Sequence, residues 1–139
     1  MEKASFSLED YKFIKVELDF SDFKPSSLEL SIDPKGVFNM SDSNYELEFT
    51  FKAFSRDKDS NEPKQVVLVN CLATFKFNQV TKLEDIPTYF YANSIAILFP
   101  YVRAFISTLS LQANITPIVL PTMNLSSLQE KLKDNTKEV

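Results

Sequence analysis

At 139 residues the chain is long enough for one domain with a real hydrophobic core. It is 44% hydrophobic and 24% charged with a net charge of −4, a globular composition whose acidity argues against a nucleic-acid backbone binder, because that role needs a basic patch. Cys71 is the one cysteine, which excludes an internal disulfide and fits a reducing compartment, and the absence of His removes the commonest general base and zinc ligand.

Glu2, Glu9 and Asp10 stand where a secretion signal would be apolar, so a cytosolic placement is expected. From Tyr11 to Phe20 the residues alternate. Ile14, Val16, Leu18 and Phe20 share one face, and Lys15, Glu17 and Asp19 share the other, as in a half-buried strand. Ser21 to Ser27 reads as a connection. Leu28, Leu30 and Ile32 alternate with Glu29 and Ser31 in a second strand. Asp33-Pro34-Lys35-Gly36 has type I turn chemistry, with the only glycine expected in a left-handed conformation. Val37 to Met40 resumes the strand, and Ser41 to Asn44 is a polar turn.

The third strand is the clearest, with Tyr45, Leu47, Phe49 and Phe51 set against Glu46, Glu48, Thr50 and Lys52. Arg56 to Lys64 is a charged hairpin tip. Val67, Val69, Cys71, Ala73, Phe75 and Phe77 form the inner face of a fourth strand. Val66, Leu68 and Leu72 suggest some cover on its other side.

The pattern then changes. Between Asp85 and Glu130 the only charged residue is Arg103. Leu83 to Pro87 is a lead-in turn, followed by a long helix over Tyr89 to Leu111 that Pro100 is expected to kink or divide. Asn114 suits a left-handed cap, Ile115 to Met123 an apolar loop, and Asn124 the N-cap of a short amphipathic helix striped by Leu125, Leu128 and Leu132. The tail from Asp134 to Val139 is polar and expected to fray. The long helix has the length of a membrane span. However, Arg103 would cost roughly 2.5–3.5 kcal/mol inside one, and Pro100, Asn93 and Ser94 weaken that reading further.

The expected fold class is therefore α+β: a four-stranded antiparallel sheet followed by a long helix and a short C-terminal helix. The chain is one domain, residues 1–139, with a sheet over about 6–80, a helical part over about 84–133 and a tail over 134–139. One sheet covers one side of a helix, and this helix is apolar on its other side too. Self-association in a closed homo-oligomer follows. Ile95, Phe99, Val102, Ile106 and Leu109 recur at helical spacing and read either as core or, more sharply, as the subunit interface. Catalytic machinery is hard to find: no phosphate-cradling loop is possible with one glycine, a lone Cys without His reads as a buried strand residue, and acid pairs such as Asp57/Asp59 read as solvated loop. No cofactor, metal or enzymatic activity is expected.

Leu98-Phe99-Pro100-Tyr101-Val102-Arg103 resembles the helix signature of the SecB family of export chaperones. The order of elements, Tyr45-Glu46-Leu47 at the start of the third strand and Asn124 before the last helix are similar as well. The resemblance spans roughly Phe13 to Leu132. It implies a tetramer, a dimer of dimers with the long helices between two sheets, that holds unfolded or precursor polypeptides in apolar grooves without ATP. The partners it implies are the SecA motor or, in the toxin–antitoxin-associated branch, an antitoxin. The groove and lid residues it implies are Phe23, Leu28, Leu30, Ile118, Leu120, Met123, Leu125 and Leu128. The plainer reading of Ile118 to Leu128 is a plug at the end of the core. Arg103 is expected to point inward and find an ion pair or a helix carbonyl. The chain departs from the pattern in its short Ser21–Ser27 connection, which lacks a tryptophan, and in a tail that mixes Lys137 with Glu138.

Overall fold

The structure is a computed structural model that describes residues 5–21, 28–56, 62–118, 120 and 124–139. Four long strands come first: β1 (Ser5–Leu18), β2 (Leu28–Asn39), β3 (Asn44–Ser55) and β4 (Lys64–Asn78). A single 3-10 turn (Leu83–Asp85) leads into α1 (Thr88–Gln112), then come α2 (Leu125–Asp134) and a short β5 (Thr136–Glu138). The sheet has five strands in the order β1-β4-β3-β2-β5, antiparallel except that β5 runs parallel to β2. The α+β expectation holds, with one strand more than foreseen.

The alternation of β3 is realised residue for residue. Tyr45, Leu47, Phe49, Phe51 and Ala53 are all fully buried, and so are Val67, Val69, Cys71, Ala73 and Phe75 beside them on β4. Phe90 of α1 anchors the helix to this face. Its ring lies 4.8 Å from Phe6, 4.7 Å from Tyr45 and 4.7 Å from Phe77, the first two in edge-on contact that favours aromatic pairs beyond simple burial. Further along, Phe105 stacks on Phe13 at 3.9 Å and Phe99 faces Phe49 at 6.5 Å. Two buried serines in α1 bond back to their own helix, Ser94 to Tyr91 O at 3.1 Å and Ser110 to Ile106 O at 2.8 Å, so neither hydroxyl is orphaned.

Several expectations need correction. β1 starts at Ser5, and its pairing with β4 slips between Leu8 and Asp10 and again between Phe13 and Lys15. The second irregularity puts Phe13 in phase with Val16 and Leu18 and leaves Ile14 49% exposed, so Ile14 does not share their face. Asp33 to Gly36 is not a turn. It lies inside β2, paired with Thr50 to Leu47, and Gly36 has no positive φ. Pro34 is tolerated there because β2 borders only β3 at that point, so no ladder bond is lost on the other side. α1 runs through Pro100 as one helix, so of the two outcomes expected there it is not divided. The carbonyl that Pro100 leaves without a donor belongs to exposed Ala96, where water can serve. The tail does not fray but forms β5.

Other expectations hold. Asn114 takes φ 60° after α1. Asn124 caps α2, its side chain accepting from Ser126 N at 3.1 Å and Ser127 N at 3.3 Å. The polar turn before β3 forms around Asn39, which accepts from Ser41 N at 3.1 Å, and the left-handed Ser43. The tip of the β3–β4 hairpin, residues 57–61, lies outside the described residues.

Candidate functional site

α2 packs against both α1 and β2, at the end of the sheet's inner face. Of the residues expected to line a groove, those described are buried or half-buried against the core. Ile118 (2% exposed) and Leu120 (4% exposed) are buried, and Leu132 of α2 is completely so. Leu28, Leu30, Ile32 and Leu128 are half-buried and pack on the same core. The site is apolar and closed. Among the described residues no group of three His, Cys, Asp or Glu side chains is placed to hold a metal. Phe23 and Met123 lie outside the described residues, as does the side chain of Leu125. Leu132, foreseen only as part of the α2 stripe, is the most buried residue of the helix.

The underside of α2 is held by more than apolar contact. Lys131 Nζ reaches Asp33 Oδ1 at 2.6 Å and donates to the Ile32 carbonyl at 2.9 Å, which ties the helix to β2. The Thr136 hydroxyl, two residues past the helix, donates to Leu132 O at 2.6 Å. A hydroxyl has one proton, so the 2.7 Å bond between Thr136 Oγ1 and Tyr45 Oη has Tyr45 as donor. Burial pushes the Tyr45 phenol well above its ordinary range, with the Thr136 bond opposing in part.

The residues expected at a subunit interface are placed otherwise. Ile95, Val102 and Ile106 are at most 1% exposed and Phe99 is 8% exposed, within a single chain. They face the sheet of their own subunit, with Leu109 half-buried beside them, and are core. A stripe that α1 presses on its own sheet is not free for a second copy.

The side of α1 away from the sheet carries Ile97 (39% exposed), Tyr101 (43%) and Leu111 (61%). It continues onto β1, the strand at the other end of the sheet from β5. There Tyr11 lies 4.5 Å from Tyr101, and Val16 and Leu18 are each more than a third exposed. This is a contiguous apolar face of the kind that marks an interaction surface. Arg103 belongs to it. It points outward, not inward, and lies 5.0 Å over the Phe99 ring, so a cation–π contact stands where an ion pair was expected. By length and composition α1 would pass for a membrane span, but its other side is packed on the sheet as a core helix is.

No family model matches the chain. An uncharacterized protein of Methanocaldococcus jannaschii is 27% identical over 135 residues, 97% of this chain and 86% of that protein. Among solved structures, the Mycobacterium tuberculosis SecB-like chaperone Rv1957, in complex with a ChAD peptide from the HigA1 antitoxin, matches with a TM-score of 0.67 at 14% identity. The match covers 86% of this chain and 91% of that one. An antiparallel sheet of four long strands followed by a long helix and a short one, matched over most of both chains, defines the fold as SecB-like.

Proposed function

We propose that this protein is a SecB-like chaperone that binds an extended, unfolded polypeptide segment, and that the segment belongs to a dedicated partner such as an antitoxin. The carrying observation is the likeness over most of the chain to a SecB-like chaperone that is in complex with an antitoxin peptide. The chemistry of the chain supports it. The residues described under α2 are apolar and buried or half-buried, as suits side chains gripped by burial. The apolar face of α1 and β1 suits assembly into a homotetramer, a dimer of dimers, in the cytosol.

A second reading is a general holdase for precursor proteins in export, handing clients to SecA. It rests on the Leu98–Arg103 signature, whereas the antitoxin peptide on the structural neighbour favours the dedicated reading. Affinity purification of the tagged protein from its own host separates the two. One stoichiometric polypeptide supports the dedicated partner, many unrelated unfolded chains support the export role, and recovery of neither sinks both.

A further inference from the structure

The tail is polar and short, yet it is tied to the fold by a series of hydrogen bonds. β5 begins one residue after the Asn135 cap of α2 and pairs with Gly36, Val37 and Phe38. Gly36 N donates to Asn135 O at 3.1 Å, Val139 N to Phe38 O at 2.9 Å and Met40 N to Val139 O at 3.0 Å. The Glu138 carboxylate accepts from Leu83 N at 2.7 Å, at the turn that opens α1. Thr136 bonds both the last turn of α2 and the buried Tyr45 hydroxyl.

These contacts hold one end of one helix. With a single residue between α2 and β5, the C-terminal end of α2 cannot lift from β2 while β5 stays paired. At the other end Asn124 caps only its own helix. α2 in turn lies on α1 and β2, with Leu132 buried and Leu128 half-buried against the core, and Ile118 and Leu120 of the preceding loop are buried too. We propose that β5 is a latch that keeps α2 closed over this apolar site, so that a polypeptide gains the site only when β5 leaves the edge of β2. Tyr45 and Thr136 set its strength, because undocking breaks the bond that the buried Tyr45 side chain makes to Thr136. Identifying the site with client binding rests on the function proposed above. The latch itself does not.

The test is Thr136→Val, which keeps shape and removes the hydroxyl, read by amide hydrogen exchange and by fluorescence of a hydrophobic dye on the full chain. Exchange in α2 and at Ile118 and Leu120 is expected to rise about fivefold to a hundredfold, with dye binding rising alongside and β3 and β4 unchanged. Tyr45→Phe is expected to move the same amides in the same direction. Unchanged exchange in α2 overturns the latch, and so does an equal rise through β3 and β4, which would make Thr136 a mere contributor to global stability. If exchange and dye binding rise but a permanently unfolded, reduced and alkylated protein binds neither form, the latch stands and the chaperone reading falls.

Discussion

Gly36 and Tyr45 fit together only because Gly36 has no side chain: a Cβ on Gly36 would overlap the Tyr45 hydroxyl and ring carbons. Gly36 sits in extended strand, so its role is space and not a left-handed backbone. The room it leaves lets the phenol pass over β2 to reach Thr136 on β5. Gly36→Ala is therefore expected to destabilise the protein by about 1–3 kcal/mol, as overpacking does. The urea midpoint measures it. Gly36→Ala combined with Tyr45→Phe should recover only part of the loss, because the ring carbons still crowd the methyl group.

How much of this was legible in the sequence differs from element to element. β3 and β4 were, because strict alternation of large apolar residues leaves one arrangement open. β1 was read a residue out of phase at Ile14, because a register slip leaves no mark in an alternating pattern. Gly36 was misread because its constraint is a side chain on the neighbouring strand. β5 was invisible: three polar residues become a strand only through backbone bonds to β2 and one buried phenol. Ile118 and Leu120 are buried and Leu128 half-buried, as the plainer reading of a plug at the end of the core has them. The stripe Ile95, Phe99, Val102 and Ile106 stayed open between core and interface, because a helix apolar all round does not tell its sheet side from its other side.

The free face of α1 and β1 makes assembly testable. Ile97 and Tyr101 lie one turn apart on it, both exposed in the single chain. Ile97→Asp with Tyr101→Asp should leave the far-ultraviolet circular dichroism intact and reduce the mass measured by light scattering from tetramer to smaller species. A parent protein that is monomeric, or a variant of unchanged mass, contradicts the proposed assembly.

Cys71 predicts a loss of stability in alkali. Burial pushes its thiol from 9.0 up to about 11, and a bond involving the Lys12 backbone opposes the shift in part. The unfolded thiol loses its proton near 9 while the folded one keeps it to about 11, so the contribution is complete below pH 9 and gone above 11. It is of the order of 2 kcal/mol across that window. Tyr45 and Tyr91, both raised by burial, extend the decline above 10. Cys71→Ala should flatten the pH dependence of the unfolding free energy between 9 and 11 whatever its effect at pH 7.

Asn124 supplies the opposite end of α2 with its only side-chain cap among the described residues. Asn124→Ala is expected to cost about 0.5–2 kcal/mol. Because the latch is at the other end, the loss should show as faster amide exchange in the first turn of α2, with the amides around Thr136 unaffected.

The central claim is that this fold grips unfolded polypeptide. Light scattering during the refolding of a slow-folding, aggregation-prone protein, with and without a stoichiometric amount of this protein and no nucleotide, tests it most directly. The account predicts that aggregation is suppressed, and more strongly by Thr136→Val than by the parent. Identical scattering curves with and without the protein, for both forms, would contradict it.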